Sequence, residues 1–454
     1  MSPAAAVAGR TRAMLEGPLA PTLFRMATPN VLGLAATTVV IGYDGYIVGR
    51  LGPEPLAGIA LVLPLAMLMT QMSAGGMGGA ATAVVARALG AGRRDEAADL
   101  ARHALAVAVA LGLAFGMLMP AAGAGIYVVM GGRAPALDAA LSYSDVLFGG
   151  AVVVWLANIL AAVVRGGGNM VLPSVMLAGS ACLHLALCPL LVFGWGPVPA
   201  LGIAGAAAST LTTSAITAAV LLAHLLSGRN AVPLRPEAFR LRTAPLRAIL
   251  RIGVPASFSP VISNLSIAVA TALVGTYGTA ALAGYGLAAR LEYVMVPIAF
   301  GFGTALTTLV ATNMGAGQQA RALRAAWAGG FTVAGITGAI GVAAALWPGI
   351  WMNRFTETPE VVAFGSHYLR IVGGCYGFFG LGLALFFAFQ GAGRMFWPLA
   401  GSLARLGIVA GGGWLAVFGF GGGPAAFFAV VAASFAAYAL TIAGALRLGA
   451  WARS

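Results

Sequence analysis

Long apolar runs alternate with short breaks that carry arginine, proline or glycine along the whole 454-residue chain. Each run has about 20 residues or more, the length that an α-helix needs to cross the hydrocarbon core of a bilayer. The pattern predicts twelve membrane-spanning helices, six in each half of the chain. Their predicted bounds are 26–49, 56–85, 99–120, 140–164, 170–194, 201–226, 249–276, 280–310, 322–347, 361–389, 395–418 and 425–448.

Composition supports a location in a lipid bilayer. Hydrophobic residues make up 60% of the chain and charged residues only 8%, with a mean hydropathy of +0.94. These values lie outside the usual range of soluble domains. The 65 glycines suit close packing between transmembrane helices, where small residues let two backbones approach each other. We therefore expect an all-α polytopic membrane protein.

The basic residues predict how the chain is oriented. All 25 are arginine, and short cytoplasmic loops are enriched in positive charge. One side of the predicted membrane holds only Arg50, Arg133 and Arg354. The opposite side, which we expect to be cytoplasmic together with both termini, holds Arg10, Arg12, Arg25, Arg87, Arg93, Arg94, Arg102, Arg165, Arg229, Arg235, Arg240, Arg242, Arg247, Arg251, Arg321, Arg324, Arg394, Arg447 and Arg453. This topology, with anionic lipid headgroups as partners, explains the net charge of +13 without nucleic acid.

Two short segments recur along the chain with the same spacing. ARALGAGRRDEA begins at Ala86 and ATNMGAGQQARA at Ala311, and VRGGGNMVLP begins at Val164 and FQGAGRMFWP at Phe389. Both pairs are 225 residues apart, and Pro29 and Pro255, where we expect helix bends, are 226 residues apart. The chain is therefore predicted to consist of two similar halves.

The repeat predicts the arrangement of these halves. Each half has six predicted helices, an even number, so the second copy enters the membrane in the same sense as the first. We expect an N-terminal lobe at 1–226, a cytoplasmic linker at 227–248 and a C-terminal lobe at 249–454, which together enclose a V-shaped cavity. Two parallel repeats around a cavity near the midplane are typical of secondary transporters.

One acidic residue, Asp44, interrupts the first apolar run within TTVVIGYDGYIVG, residues 37–49. An ionised aspartate at a helix centre costs about 2.5 to 3.5 kcal/mol on insertion scales, so such residues usually mark an ion or substrate pathway. Desolvation favours the neutral carboxyl form, which would let Asp44 bind and release a proton. The alternative is a purely structural acceptor of hydrogen bonds from Tyr43, Tyr46, Thr37 or Thr38.

His184 is a second candidate for ion coupling, within GSACLHLALCPLL. An unperturbed imidazole titrates near pH 6.5, so this side chain could carry a proton or pair with a carboxylate. A neutral histidine that only links two packed helices is the alternative. The position that matches Asp44 in the second half is Ala270, so coupling is expected mainly in the N-terminal lobe.

Further polar residues lie in predicted spans. Arg290 and Glu292 are two residues apart and so point to different helix faces; Glu292 could line the cavity of the C-terminal lobe or lie near the membrane edge. Tyr43, Tyr46, Gln71 and Asn264 are candidate contacts for a substrate. Arg370 and Arg405 have no assigned role, and Cys182, Cys188 and Cys375 are expected to be packing residues.

Taken together, these segments resemble the multidrug and toxic compound extrusion family from about residue 20 to 450. The resemblance is carried by Pro29 and by GYDGYIVGRLGPEPLAGIAL from Gly42, ARALGAGRRDEA, RGGGNMVLP, CPLLVFGWGPVPALGIAGAA from Cys188, and ATNMGAGQQARA. It implies an antiporter in a bacterial inner membrane that exports cationic or amphipathic organic compounds in exchange for protons or sodium.

The resemblance also implies roles for single residues. Asp44 occupies the place of the family's coupling acid in D-x-x-x-V-G, whereas His184 and Cys188 stand where relatives often carry asparagine and aspartate. Since a thiol cannot supply a hard carboxylate oxygen, we expect protons as the coupling ion. Sodium coupling is one alternative, and a lipid-intermediate flippase of the same superfamily is another.

Catalytic motifs are missing from the sequence. It contains no H-E-x-x-H, no G-x-S-x-G and no P-loop. We therefore expect neither an enzyme nor a bound cofactor or metal, but a transporter that acts as a monomer.

Overall fold

The computed structural model describes residues 3–228, 230–234 and 239–451 and is almost entirely helical. The linker arginines Arg229 and Arg235, and Arg453 near the C-terminus, lie outside the described residues. A short first helix is followed by the helices of the N-terminal half, with the bounds α1 (Pro3–Glu16), α2 (Leu19–Gly49), α3 (Pro53–Gly90), α4 (Arg94–Val129), α5 (Ala136–Gly149), α6 (Ala151–Gly166), α7 (Val171–Phe193) and α8 (Ile203–Leu226).

The C-terminal half repeats this order of long helices. Its bounds are α9 (Thr243–Gly275), α10 (Thr279–Gly315), α11 (Gln319–Leu346), α12 (Pro348–Met352), α13 (Pro359–Ala392), α14 (Phe396–Gly419) and α15 (Pro424–Arg447). Within the described residues, the only β-structure is an isolated bridge between Trp195 and Val198. The prediction of an all-α fold is therefore confirmed.

Eleven of these helices are long and apolar enough to cross a membrane, and a twelfth span results when α5 and α6 are taken together. The two are bent by 49° at Gly150, so the predicted span at 140–164 is broken and not straight. The predicted span at 99–120 was too short, since α4 continues through Pro120 to Val129. Proline is tolerated inside membrane helices because neighbouring groups satisfy the freed backbone carbonyl.

The lobes contact each other where the two copies of the repeated motif meet. Helices α2 and α3 pack against α9 and α10. A Cβ atom at Gly90 would overlap the carbonyl oxygen of Thr312, and one at Gly315 would overlap the carbonyl oxygen of Arg87. Because Arg87 and Gly90 match Thr312 and Gly315 at the 225-residue spacing, the contact is reciprocal about a pseudo-two-fold axis.

Other contacts between the lobes lie in the same half of the molecule. Gln390 Nε2 donates to the carbonyl oxygens of Gly75 at 2.9 Å and Gly76 at 3.2 Å, and Arg87 Nη2 donates to the carbonyl oxygen of Gly391 at 3.0 Å. We call this half, with the helix ends at Arg87, Arg165 and Arg394, the Arg-rich side. In the other half, side chains of the interface helices are exposed, including Val39, Tyr46 and Tyr293. The two lobes therefore form a V that closes on the Arg-rich side.

The close approach at Gly90 and Gly315 generates a prediction about stability. Gly90→Ala and Gly315→Ala place a methyl group against a backbone carbonyl, and such overpacking typically costs about 1 to 3 kcal/mol. We expect both variants to unfold at a lower temperature in detergent than the wild type. The matched control is Gly335→Ala, because nothing lies within 4 Å of a Cβ at Gly335. Equal unfolding temperatures for all three variants would contradict the reciprocal contact.

Candidate coupling site in the N-terminal lobe

Asp44 and His184 form the central contact of the site. His184 Nε2 lies 2.7 Å from Asp44 Oδ1, with the histidine side chain 4% exposed and the aspartate side chain 17% exposed. Asp44 comes from α2 and His184 from α7, and these helices pack against each other. The carboxylate thus lies at the boundary between the lobe interior and the space accessible to solvent.

Two further side chains complete this contact. Ser209 Oγ lies 3.0 Å from His184 Nδ1, and Cys188 donates its S–H to Asp44 Oδ1 at 3.6 Å. An ionised carboxylate can only accept, so the imidazole donates from Nε2 and, when neutral, accepts the Ser209 hydroxyl proton at Nδ1. Ser209 and Cys188 are fully buried. The serine hydroxyl can reverse its role if the imidazole gains a second proton.

Helix geometry explains why these residues meet. His184 and Cys188 are four residues apart on α7 and so share one face. Helix α8 can approach that face because Gly205 has no side chain, where a Cβ would lie 2.5 Å from the backbone of Leu191. Ser209 follows one turn later on α8 and reaches His184.

If Asp44 were only a structural hydrogen-bond acceptor, nearby hydroxyl groups such as those of Thr37 and Thr38 would donate to it. Thr37 and Thr38 instead donate to the carbonyl oxygen of Leu34, at 2.7 Å and 3.4 Å. The hydroxyl of Tyr143 on α5 lies close enough to Asp44 for an electrostatic interaction, and Tyr143 is only 6% exposed. The surroundings of Asp44 are therefore a polar group built from four helices.

The ligand atoms around Asp44 also determine which kind of ion could bind there. The ligand atoms of Asp44, His184 and Cys188 lie within 4.8 Å of one another, so the three residues could hold a metal ion. A nitrogen, a sulfur and a carboxylate oxygen suit zinc-like metals, whereas hard cations prefer oxygen ligands. The site is therefore a poor match for a hard cation such as sodium.

A second buried polar cluster surrounds Glu292 in the C-terminal lobe. The hydroxyl groups of Tyr368 and Tyr376 donate to Glu292 Oε1 at 2.8 Å and 3.4 Å. Arg405 is only 9% exposed, interacts electrostatically with Glu292 and stacks over the ring of Phe435 at 4.6 Å. Glu292 thus lies inside the C-terminal lobe, with tyrosine and arginine as its partners.

The other predicted site residues are dispersed. Tyr43 and Gln71 are half-buried, Tyr46 is 63% exposed, and Asn264 is exposed and donates to the carbonyl oxygen of Pro260 on its own helix. None of these four has a described hydrogen bond to Asp44 or Glu292. Their roles in substrate binding stay predictions.

The remaining predictions concern prolines and arginines. Pro29 and Pro255 lie inside α2 and α9, where they remove backbone hydrogen bonds. Arg290 is exposed while Glu292 is half-buried, as their spacing predicted. Arg370 is exposed on α13.

Sequence reasoning missed Ser209 and Tyr143. One signal was available for Tyr143, because it matches Tyr368 at the 225-residue spacing of the repeat. Each tyrosine is close to the acidic residue within the membrane-spanning helices of its own lobe. No comparable signal separates Ser209 from the other serine and threonine residues of α8.

The chain is similar to known proteins over most of its length. The model of the MatE family matches it twice, over residues 29–190 and 255–415. The chain belongs to the MatE family. The two matches begin at Pro29 and Pro255, the same residues that the internal repeat aligns.

Relatives of this MatE protein include differently named transporters. It is 26% identical to a FAD transporter of Shewanella oneidensis, with 83% of this chain and 82% of that protein covered. It is 23% identical to the probable multidrug resistance protein NorM of Thermotoga maritima, with 70% and 68% covered. It also resembles the solved structure of a MOP superfamily transporter from Pyrococcus furiosus, at a TM-score of 0.89 and 23% identity, with 97% and 98% covered.

Membership in the MatE family establishes the broad functional class of the protein. It is a multi-pass membrane transporter of the multidrug and toxic compound efflux family. Since members of this family are transporters, the prediction that the chain is not an enzyme is confirmed. Relatives named as multidrug transporters imply small organic compounds as substrates.

The cluster around Glu292 generates a prediction about stability. Glu292→Ala leaves two buried tyrosine hydroxyls without their acceptor, which typically costs about 1 to 3 kcal/mol, and removes the negative charge near the Arg405 guanidinium. We expect a lower unfolding temperature in detergent for Glu292→Ala and a smaller loss for Glu292→Gln, which keeps an acceptor oxygen. The control is Arg290→Ala, because Arg290 is exposed on the same helix. If Glu292→Ala were as stable as this control, Glu292 would not hold the cluster together.

Proposed function

We propose that this MatE protein exports cationic or amphipathic organic compounds across a bacterial inner membrane in exchange for protons. The observation that carries the proposal is the contact between Asp44 and His184, 2.7 Å long and open to solvent only on the aspartate side. A carboxylate at this position attracts either a proton or an organic cation. Competition between the two for one negative charge would couple their movements.

The mechanism follows from the geometry of this site. When Asp44 is ionised, the Nε2–H of His184 and the S–H of Cys188 stabilise its charge. An organic cation in the cleft would be attracted to the carboxylate. Protonation of Asp44 removes that attraction and weakens both hydrogen bonds, so the cation leaves. Rocking of the two lobes then exposes the site to the other side of the membrane.

The arginine distribution supports an orientation of the protein in the membrane. Positive charge in short loops favours the cytoplasm, so the Arg-rich side is assigned to the cytoplasm together with both termini. The contacts around Gly90 and Gly315 then close the cytoplasmic side and leave the cleft open to the outside. Labelling of Leu241→Cys only from outside the cell would contradict this orientation.

Protons are preferred to sodium because of the donors around Asp44. Histidine nitrogen and cysteine sulfur are poor ligands for a hard alkali cation. Asp44 is the only carboxylate within this group of donor atoms. When Asp44 gains a proton, His184 and Cys188 can each reverse or release the hydrogen bond that they make to it.

Two alternative substrates are distinguished by charge. The relative from Shewanella oneidensis is named a FAD transporter, and FAD carries phosphate groups. A lipid-intermediate flippase would likewise bind an anionic headgroup. An acidic residue at the candidate site favours a cationic substrate over either anion. The transport experiment below therefore compares FAD with ethidium as the transported compound.

The first functional prediction concerns Asp44→Asn. We expect purified wild-type protein in vesicles to move ethidium when a pH gradient is imposed, and not when a sodium gradient is imposed at constant pH. Asparagine has the same shape but cannot exchange a proton, so Asp44→Asn should lose at least about 90% of this gradient-driven transport, in line with the typical 10²-fold or larger effect of removing a proton-transfer group. The matched control, Asp138→Asn, removes an exposed carboxylate of the same lobe and should transport normally.

Three results would count against the proposal. Undiminished transport by Asp44→Asn would remove Asp44 from the mechanism. Transport that follows sodium at constant pH would replace the proton. Stronger transport of FAD than of ethidium would reassign the substrate class.

The second functional prediction concerns His184→Ala. The imidazole N–H stabilises the ionised form of Asp44, and a hydrogen bond to a charged group is worth about 1.5 to 3 kcal/mol. Without it the ionised form of Asp44 loses a stabilising partner, so the pH profile of ethidium transport should shift upward and transport should persist. His367→Ala, an exposed histidine of the other lobe, should leave the profile unchanged. An unshifted profile in His184→Ala would exclude His184 from the coupling step.

A further inference from the structure

The short helix α1 lies across the Arg-rich side, and proton-coupled export does not account for it. Met14 on this helix is only 4% exposed, although Arg12 and Glu16 beside it form an exposed ion pair with side chains 78% and 62% accessible. A helix that rested on a membrane surface would turn its apolar side chain toward lipid. Met14 instead points into the protein.

One set of contacts ties α1 to the C-terminal lobe. The carbonyl oxygen of Met14 accepts from Asn313 Nδ2 at 3.2 Å and from Arg321 Nε and Nη2 at 3.4 Å each. Arg321 Nη2 also donates to the carbonyl oxygen of Gly17. The last carbonyls of a helix have no partner within it and carry partial negative charge. Asn313 and Arg321 supply the missing donors from α10 and α11.

A second set of contacts ties α1 to the N-terminal lobe. A Cβ atom at Gly168, in the turn after α6, would lie only 2.8 Å from the terminal methyl carbon of Met14. Arg10 lies against Asn169, His224 and Asn230 in a small cavity of the same lobe. Met14 thus fills the space between the turn at Gly168 and the end of α10, where its sulfur lies 3.9 Å from Thr312 Oγ1.

We propose that α1 and the turn at Gly17 form a clasp that holds the two lobes together on the Arg-rich side and must release before the cleft can open there. The clasp joins the lobes next to the crossing of α3 and α10, because Thr312 takes part in both contacts. Opening on this side separates the lobes, so the contacts to one of them must break.

The connectivity of the chain indicates which contacts break. Helix α1 leads into α2 through the two-residue link at Gly17 and Pro18, and the N-terminal lobe also holds it through Gly168 and Arg10. The contacts with Thr312, Asn313 and Arg321 are made to the opposite lobe, and those with Asn313 and Arg321 are its shorter hydrogen bonds. Release at Arg321 therefore frees the lobes, while α1 moves with the N-terminal lobe.

The experiment measures the distance between the lobes and does not depend on transport. Spin labels at Arg94→Cys and Ala320→Cys, both exposed on the Arg-rich side, are introduced after Cys182, Cys188 and Cys375 are replaced by serine. Pulsed electron paramagnetic resonance then gives the ratio of long to short distances. Arg321→Ala removes charged donors from two carbonyls, and we expect the open-to-closed ratio to rise about tenfold or more.

Control variants separate the clasp from a general loss of stability. Arg324→Ala removes an exposed arginine of the same helix and should leave the ratio unchanged, as should Arg12→Ala on the exposed face of α1. Removal of residues 1–16 should raise the ratio as Arg321→Ala does. Unchanged distances in either Arg321→Ala or the shortened chain would overturn the clasp, and so would an equal rise in Arg324→Ala.

Discussion

The site depends on the close approach of α2 and α7, which brings a carboxylate inside the membrane to a partner. A Cβ atom at Gly33 would lie 3.0 Å from the carbonyl oxygen of Ser174, so a larger residue at this crossing would push the helices apart. The hydroxyl of Ser174 donates to Asn30 Oδ1 at 2.8 Å in the same region. Three turns further along α2, this spacing lets Asp44 reach His184. Without it the aspartate would face apolar surroundings alone, at a cost of about 2.5 to 3.5 kcal/mol.

The same helix takes part in the contact between the lobes. Asn30 Nδ2 donates to Thr304 Oγ1 on α10 at 2.9 Å, and a Cβ atom at Gly301 would overlap Val31. One part of α2 therefore packs against the opposite lobe, and another part carries Asp44. A rearrangement between the lobes must move or bend α2, and Pro29 lies where this strain would concentrate. This arrangement gives a physical route by which ion binding at Asp44 and lobe movement can influence each other.

The sequence alone predicted most of the membrane-spanning helices and the internal repeat, because both depend on local patterns. Apolar length predicted the spans, and the matching motifs at Ala86 and Ala311 predicted two lobes related by an axis along the membrane normal. The predicted span at 99–120 ended too early, since α4 continues through Pro120 and membrane helices tolerate proline. Helix α1 was not predicted, because its contacts with Arg321 and Asn313 join residues that are distant in sequence.

The candidate site was only partly predictable for a related reason. Asp44 and His184 stand out because charge is rare in apolar helices, and their pairing follows once α2 and α7 are known to pack. Ser209 has no such signal, since a serine that reaches an imidazole looks in sequence like one that bonds to its own helix. The role of Arg405 likewise depends on Glu292 and Phe435, which only the packing of α10, α14 and α15 brings together.

A direct count of protons tests the central claim, that one negative charge at Asp44 is shared between a proton and the exported compound. Purified protein in weakly buffered detergent solution is mixed with tetraphenylphosphonium, and the pH change is recorded with a sensitive electrode. At a pH where Asp44 is protonated, the account predicts that the wild type releases close to one proton for each cation bound and that Asp44→Asn releases none. Binding without proton release in the wild type, or equal release by Asp44→Asn, would contradict it.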